Sequence, residues 1–308
     1  MKKLLLIVLS GIVICGCSGG KDNTPTYTPG DGDYMGGFND YKKEYNINKD
    51  GLEIDYMSTG IDTTTVYFNG RIDGKLWVGG YEKGSKKEIL DWADNVRLDT
   101  VVNYNKGYGI YENFKVYRYN ISFPYKYENA YCFILNGGGS DNSFSDLYFI
   151  NNNNLTKKHR SVGSYNSEAF RYIFSWFEGV MVENKKEELV CFNMQGDSLF
   201  VVQDRSIYYY VESNSCPISY EECIRLIYNY SGFNGFYFER LNLKTKEIIW
   251  EEKIMPLTDI PENARINGHT ISKSGNEWTY VFNHTLYSGE KGTTTILLNI
   301  DSGELEEI

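Results

Sequence analysis

A short hairpin motif recurs along the chain and constrains the fold more than any other feature. An aliphatic residue closes one apolar run, a polar turn follows, and a second apolar run starts five positions later. The aliphatic residues before the turn are Ile150, Met194, Leu243 and Ile300, and in the last three copies an asparagine precedes them. Two strand-like runs joined by a short polar turn form a β-hairpin. The sequence therefore predicts a fold built from repeats of this hairpin.

The spacing of the copies predicts the architecture. They are 44, 49 and 57 residues apart, and a looser copy at Tyr81 lies 69 residues before Ile150, which leaves room for one divergent extra unit. The apolar clusters between the copies are rich in tyrosine, a residue that strands favour. Repeats of about 40–50 residues with three or four strands are typical of propeller blades. We therefore predict an all-β fold of propeller-like antiparallel meanders of about 45–55 residues, with an open β-meander or β-sandwich domains as alternatives.

Two further segments refine this prediction. The stretch 242–251, NLKTKEIIWE, resembles the outer hairpin of quinoprotein-like propeller repeats. One helical turn is predicted, at 219–224, with Ser219 as its N-cap and Glu222 at the third position of a capping box.

The first residues have the pattern of a lipoprotein signal. Lys2 and Lys3 precede an apolar run, 4–15, that is too short to span a bilayer as a helix. The run ends in Ile14-Cys15-Gly16-Cys17, which resembles the lipobox of bacterial lipoproteins. The resemblance implies cleavage after Gly16 and lipidation of Cys17, and Ser18 after the cysteine implies sorting to the outer membrane. Acyl chains on Cys17 would anchor the protein in the lipid bilayer.

The lipobox and the composition that follows it predict three segments. Residues 1–16 form the signal peptide. Residues 17–37, rich in glycine, threonine and aspartate, form the lipidated cysteine and a flexible tether that resembles those of surface-exposed lipoproteins. Residues 38–308 form a single all-β domain of repeated meanders. The predicted localisation is the outer membrane, facing either the cell surface or the periplasm.

Charge argues against nucleic acid as a partner. The net charge is −10 and becomes −12 once Lys2 and Lys3 leave with the signal peptide. Such a chain repels polyphosphates, and its basic clusters at 83–87 and 157–160 are short enough to be solvated turns.

Four cysteines remain in the predicted mature domain after Cys15 is removed and Cys17 is modified. Cys132 and Cys191 lie in apolar strand-like runs, where a cysteine behaves as a small buried hydrophobe. Cys216 and Cys223 flank a short segment that a disulfide could close, but the pairing cannot be read from sequence.

The sequence predicts no metal site and no cofactor. The segment 46–51 has oxygens at positions 1, 3 and 5 and glycine at 6, as calcium loops do, but Met57 stands where such a loop needs glutamate. A turn is the favoured interpretation. The segments 70–75 and 272–278 resemble a phosphate loop and an Asp-box only in part, and hairpin turns are favoured there too.

Catalytic motifs are absent from the sequence: it has no G-x-S-x-G, no H-E-x-x-H and only three widely spaced histidines, His159, His269 and His284. The first hypothesis is therefore a non-catalytic binding module for a glycan or a protein. The second is a carbohydrate-active hydrolase or lyase with a site at a propeller mouth, and the third is a structural envelope scaffold.

Aromatic residues carry the glycan hypothesis, because sugar rings stack on them while amides and carboxylates bond the hydroxyls. The clusters at 208–210 and 233–238 and the tryptophans Trp77, Trp92, Trp176 and Trp250 are the candidates. Alternation in strands buries half of such residues, so no individual ligand-binding residue is assigned. The irregular loops 137–145 and 255–270 are expected to carry function.

Overall fold

A computed structural model describes residues 35–97, 102–106, 109–114, 118–138, 143–159, 170–184, 186–202, 215–228, 236–254, 265–286 and 288–308. These residues form one α-helix and 22 β-strands. The elements are α1 (Met35–Glu44), β1 (Glu53–Thr59), β2 (Thr65–Ile72), β3 (Lys75–Glu82), β4 (Glu88–Arg97), β5 (Val102–Lys106), β6 (Gly109–Phe114), β7 (Arg118–Tyr127), β8 (Ala130–Gly138), β9 (Ser143–Asn151), β10 (Asn154–His159), β11 (Phe170–Trp176), β12 (Gly179–Asn184), β13 (Leu189–Asn193), β14 (Ser198–Val202), β15 (Ser215–Pro217), β16 (Glu222–Tyr228), β17 (Phe236–Asn242), β18 (Glu247–Lys253), β19 (Arg265–Ser274), β20 (Glu277–Thr285), β21 (Lys291–Asn299) and β22 (Leu305–Glu307).

The strands form repeated antiparallel meanders, as predicted. Sheets A (β1–β4), C (β7–β10), D (β11–β14), E (β15–β18) and F (β19–β22) each have four strands, hydrogen-bonded in chain order. Their first strands start 65, 52, 45 and 50 residues apart. The fold class, all-β with propeller-like repeats, is therefore confirmed. The longest interval holds a two-stranded sheet B, β5–β6, where the sequence left room for a full extra unit.

The chain divides into two compact units. One comprises the described residues between Thr26 and Tyr208 and contains α1 and sheets A to D. The other comprises those between Tyr209 and Ile308 and contains sheets E and F.

Sheet C is the centre of the first unit, because apolar side chains cover both of its faces. Tyr131, Phe133 and Leu135 of β8 pack into a core shared with sheet A. Their neighbours Cys132 and Ile134 pack into a core shared with sheet D. Successive side chains of a strand point to opposite faces, so an unbroken apolar run such as that of β8 fits a strand buried on both sides.

Helix α1 covers the remaining face of sheet A. Phe38 and Tyr41 of the helix, and Tyr45 directly after it, pack on a cluster that includes Phe68 and Tyr81. The rings of Tyr45 and Phe68 meet edge-on with their centroids 5.3 Å apart. Sequence reasoning missed this helix: Met35 and two glycines at its start resemble the tether, and α1 starts three residues before the predicted domain boundary at 38.

In the second unit, sheets E and F share one core. Ile224, Leu226 and Phe238 of sheet E pack against Tyr280 and Phe282 of sheet F, and the rings of Phe238 and Tyr280 lie 4.5 Å apart. The single predicted helical turn is wrong. Ser219 Oγ does accept hydrogen bonds from the Glu221 and Glu222 amides, but Glu222 then begins β16, because the apolar alternation of that strand continues into the turn.

The asparagines of the repeated motif fold its turns. Asn193 Oδ1 accepts hydrogen bonds from the amides of Gln195 and Asp197. Asn242 and Asn299 each accept two bonds from their own turns in the same way. The side-chain oxygen of the asparagine thus accepts hydrogen bonds from turn amides that have no partner strand. The copy at Ile150 differs, because Asn152 and Asn153 form a tight two-residue turn with left-handed backbone.

Each of two such turns rests on the neighbouring sheet of its own unit. Gly196 lies so close to sheet C that an added Cβ would be 2.7 Å from the Phe149 ring. Its carbonyl oxygen is 2.7 Å from His159 Nε2. In the second unit, Ile300 in the turn of sheet F accepts a hydrogen bond from Trp250 Nε1 of sheet E. The motif therefore closes a hairpin and joins adjacent sheets.

Candidate functional site

The tryptophans proposed as sugar platforms are structural. Trp77, Trp92 and Trp176 are buried, and Trp250 is half-buried against the turn of sheet F. Of the cluster at 233–238, Phe238 is buried in the core of sheets E and F. The triple tyrosine 208–210 lies outside the described residues.

The exposed aromatic residues among the described side chains are Tyr56 of β1, Tyr172 of β11 and Phe177 in the β11–β12 turn, and Tyr172 has further aromatic rings beside it on β7. We call Phe123, Tyr125 and Tyr127 of β7 together with Tyr172 of β11 the β7–β11 surface. Strand β7 runs beside β1 and β11, so this surface lies where the first strands of three sheets meet. Tyr172 is 48% exposed, and the β7 rings are partly buried at the edge of the core between sheets C and D. The surface is thus a row of aromatic rings whose inner edges are packed and whose outer edges face solvent.

A β-bulge turns these rings toward sheet D. The ladder between β7 and β8 pairs Ser122 with Ile134 and then Tyr125 with Cys132, so β7 has one extra residue. Phe123 at the bulge has φ 50°, a left-handed conformation that is strained for an aromatic residue. Bulges re-aim side chains and are frequent beside functional sites.

Packing holds the strained ring in place. The Phe123 and Tyr172 rings meet edge-on, with centroids 5.1 Å apart and an interplanar angle of 67°. Such an edge-to-face pair is favoured by the quadrupoles of the two rings. The carbonyl of Pro124 accepts a hydrogen bond of 2.9 Å from the Ile61 amide, which ties the bulge to sheet A.

The loop that supplies Ile61 is itself rigid. Asp62 Oδ1 accepts hydrogen bonds from the amides of Thr64 and Thr65 and from the Thr65 hydroxyl. The Gly60 amide donates to the Thr65 carbonyl, and a Cβ at Gly60 would be 2.1 Å from Thr65 Oγ1. Glycine at position 60 therefore permits the tight loop next to the bulge.

Two acidic turns border the other end of the surface. Glu128 lies in the β7–β8 turn and Glu178 in the β11–β12 turn, and both are exposed. Burial raises the pKa of the Tyr127 hydroxyl, and the charges of Glu178 and Glu128 raise it further. A tyrosine hydroxyl is a hydrogen-bond donor at neutral pH, and no described group around Tyr127 shifts its pKa the other way.

Other polar clusters in the described residues have structural partners. Asp91 accepts hydrogen bonds from Lys49 Nζ at 2.6 Å and from Trp77 Nε1 at 2.8 Å. Burial raises its pKa, but the two donors outweigh that effect, so the pKa of Asp91 is lowered overall. Arg225 and Glu239 form a buried ion pair across β16 and β17. Burial raises the pKa of the Glu239 carboxyl despite the opposing attraction of Arg225.

The three histidines are divided between the two units. His159 lies in the first unit between the rings of Phe149 and Phe192. His269 and His284 lie in the second unit, on strands β19 and β20. Burial lowers the pKa of His269, whose ring lies 6.0 Å from that of Tyr280.

The segments that partly resembled ligand loops are turns, as favoured from sequence. Residues 46–51 lie between α1 and β1, and Ile47 in this segment and Leu52 directly after it are buried in the core below the helix. The other two, 70–75 and 272–278, include the hairpin turns β2–β3 and β19–β20. Asn69 and Gly70, however, belong to β2, where Asn69 Oδ1 accepts a hydrogen bond from the Ile121 amide. Among the described residues, no three His, Cys, Asp or Glu side chains converge to hold a metal ion.

Cys132, Cys191, Cys216 and Cys223 form no disulfides. Cys132 and Cys191 are fully buried, in agreement with the prediction. No disulfide closes the short loop between Cys216 and Cys223. In the ladder Cys216 pairs with Ile224 and Cys223 with Pro217, so the two cysteine side chains lie on opposite faces of sheet E. Burial raises the pKa of the Cys223 thiol to about 12.

Several sequence predictions fall on residues that the structure does not describe. These are the lipobox and Cys17, most of the tether, and residues 139–142 and 255–264 of the two loops expected to carry function. Within the described residues, no helix has the length and apolar character needed to cross a membrane.

Comparison with known proteins gives distant structural likenesses. No protein-family model matches the chain, and no curated protein matches it. A protein of unknown function from Bacteroides caccae is 11% identical over 84% of this chain and 83% of its own, with a TM-score of 0.29. BamB from Moraxella catarrhalis is 8% identical over 83% of this chain and 64% of its own, with a TM-score of 0.30. The subtype N10 neuraminidase-like protein of A/little yellow-shouldered bat/Guatemala is 8% identical over 76% of this chain and 74% of its own, with a TM-score of 0.31. The strand order and register of the chain itself define its class, a protein of repeated four-stranded antiparallel meanders.

Proposed function

We propose that this protein is a non-catalytic binding module that holds a glycan on the β7–β11 surface. The observation that carries the proposal is the exposed Tyr172 ring, held edge-on by the strained Phe123 ring at 5.1 Å. Sugar rings present flat C–H faces that pack well on an aromatic face. A ring already fixed by a neighbour loses little rotational freedom when the sugar binds, so more of the contact energy appears as affinity.

Polar groups next to the rings suit sugar hydroxyls. The Tyr127 hydroxyl remains protonated and can donate, while Glu128 and Glu178 can accept. A few directed polar groups beside apolar rings are the usual composition of a small-ligand site. An open row of rings on a strand, rather than a deep pocket, favours a chain-like ligand that lies along β7.

The test is a glycan array followed by affinity measurements on each retained glycan. Tyr172→Ala should weaken binding roughly three- to tenfold, the range expected for losing one aromatic contact. Tyr172→Phe keeps the ring and should retain most of the affinity. Ile249→Ala, an exposed truncation in the second unit, serves as the control for general surface effects.

Each outcome of the array has a defined meaning. An empty array, or equal affinities for the Tyr172→Ala variant and the unmodified protein, would refute the glycan proposal. A protein captured in pull-downs and lost in Tyr172→Ala would instead make the surface a protein-binding one. New reducing ends or unsaturated sugars formed from a retained glycan would indicate the hydrolase or lyase alternative.

We further propose that the module is an outer-membrane lipoprotein held by an acylated Cys17. The support is the sequence Ile14-Cys15-Gly16-Cys17 after a short apolar run. Metabolic labelling with an alkyne fatty acid should mark the protein, and Cys17→Ala should abolish the label and release the protein from membranes. Cys15→Ala is the matched control, because it changes the neighbouring cysteine and keeps the acceptor. Label that persists in Cys17→Ala would contradict the assignment.

A further inference from the structure

Resting on the proposed glycan site, we infer that the β7–β11 surface selects uncharged glycans and rejects those bearing carboxylate, sulfate or phosphate groups. The inference depends on which charged side chains border the aromatic rings and on which cations are engaged elsewhere.

Carboxylates stand at both ends of the row of rings. At the Tyr127 end, Glu128 and Glu178 extend from two adjacent hairpin turns and are exposed. Both lie near enough to Tyr127 for their charges to act on its hydroxyl. At the Phe123 end, the exposed Asp62 follows Ile61, whose amide donates to the Pro124 carbonyl beside the bulge. A ligand lying along β7 therefore meets negative charge at each end.

The cations on these strands do not offset those carboxylates. Arg171 precedes Tyr172, but its Nη1 lies 3.5 Å from Glu183 and 3.8 Å from Glu187. Lys126 lies between Tyr125 and Tyr127, and strand alternation points it to the opposite face of β7: it pairs with Tyr131, whose ring packs in the core with sheet A. The carboxylates of the adjoining turns are therefore not matched by a cation on the described side chains of β7 and β11 that faces the rings.

An anionic glycan on this surface would be repelled by several carboxylates at once. Like charges disfavour wrong partners, and the effect is screened by salt when the groups are exposed. Removing Glu128 and Glu178 should therefore relieve the rejection by roughly fivefold per carboxylate at low salt.

The experiment compares a glucan, a mannan and a galactan, each before and after oxidation of its C6 hydroxyls to carboxylates. Binding of each form is measured by calorimetry at about 20 mM and at about 500 mM salt. The double variant Glu128→Gln, Glu178→Gln tests the two carboxylates. Glu304→Gln, Glu306→Gln removes the same charge from exposed positions in the second unit and serves as the control.

We expect oxidation to weaken binding at least tenfold at low salt. The difference in affinity between the unoxidised and oxidised forms should become smaller at high salt and in the Glu128/Glu178 variant. It should stay the same in the control variant. Equal or tighter binding of the oxidised forms would overturn the inference and leave the glycan proposal standing. A loss that persists at high salt and in the variant would also overturn it, because a lost hydroxyl contact would then explain the result. Failure to bind any form would refute the glycan proposal itself.

Discussion

Gly196 offers the sharpest test of how the sheets are joined, and we predict that Gly196→Ala destabilises the first unit far more than a change of backbone preference alone would. The residue has φ 88°, and an added Cβ would lie 2.5 Å from Lys157 Cβ and 2.7 Å from the Phe149 ring. Phe149 is fully buried and contacts the ring of Phe192, so it cannot move aside without disturbing the core between sheets C and D.

Two effects contribute to the expected loss. A left-handed backbone costs a residue with a Cβ about 1–2 kcal/mol. Forcing an extra carbon into a packed core adds about 1–3 kcal/mol. Gly51→Ala separates the two, because Gly51 has φ 69° in the same unit and its nearest neighbour would be an ordinary contact at 3.7 Å. The difference between the two variants should therefore be about 1–3 kcal/mol.

Urea-induced unfolding followed by tryptophan fluorescence measures that difference. Trp77, Trp92 and Trp176 lie in the unit that contains both glycines. Equal free energies of unfolding for Gly196→Ala and Gly51→Ala would refute the reasoning, since the turn would then not be pressed against sheet C.

Three further predictions concern stability and reactivity. Asp91→Asn should reduce the loss of stability in acid. The pKa of Asp91 is lowered in the folded protein, so Lys49 and Trp77 stabilise the fold fully above the unfolded pKa of roughly 4. This stabilisation is lost as the pH falls through the lower pKa of the folded state. Acid-induced unfolding of the unmodified and variant proteins measures the difference. Lys246 has φ 65°, a left-handed backbone that glycine adopts at lower cost, so Lys246→Gly should raise the free energy of unfolding of the second unit by about 0.5–1 kcal/mol. Chemical denaturation measures this change, and a less stable variant would contradict the prediction. Of the four cysteines in the folded domain, Cys216 should react first with Ellman's reagent and the buried ones only on unfolding, so uniform reactivity in the native protein would refute the assigned burial.

The hairpin pattern predicted the fold because turns and paired strands restrict which residue types can occupy their positions. Asn193, Asn242 and Asn299 occupy positions where a side-chain oxygen must accept the amides of the turn, so their spacing alone indicates where the hairpins close. Helix α1 leaves no such signal. Its stability comes from Phe38 and Tyr41 packing on sheet A, and propensity at its glycine-rich start opposes a helix.

The candidate site was missed for a different physical reason. Exposure of an aromatic residue depends on which sheet faces it, and a single bulge reverses the faces of all residues beyond it. Trp77 and Tyr172 both lie in aromatic-rich strands, but one is 1% and the other 48% exposed. The extra residue at Phe123 has no sequence signal apart from the proline that follows it, which interrupts the ladder.

In the four-stranded sheets, register shifts occur in the first and last ladders and not in the central ones. The ladders between the second and third strands of all five four-stranded sheets run without a register shift. The ladders between the first and second strands are shifted in four of those sheets, at Ile54/Tyr56, Ser122/Tyr125, Phe170/Tyr172 and Ile266/Gly268. A regular central pair fixes the core, whereas a bulged first strand can re-aim its side chains without disturbing that core. Because the exposed Tyr56 and Tyr172 both lie at these shifts, the side chains that the first strands present to solvent can vary while the cores stay the same.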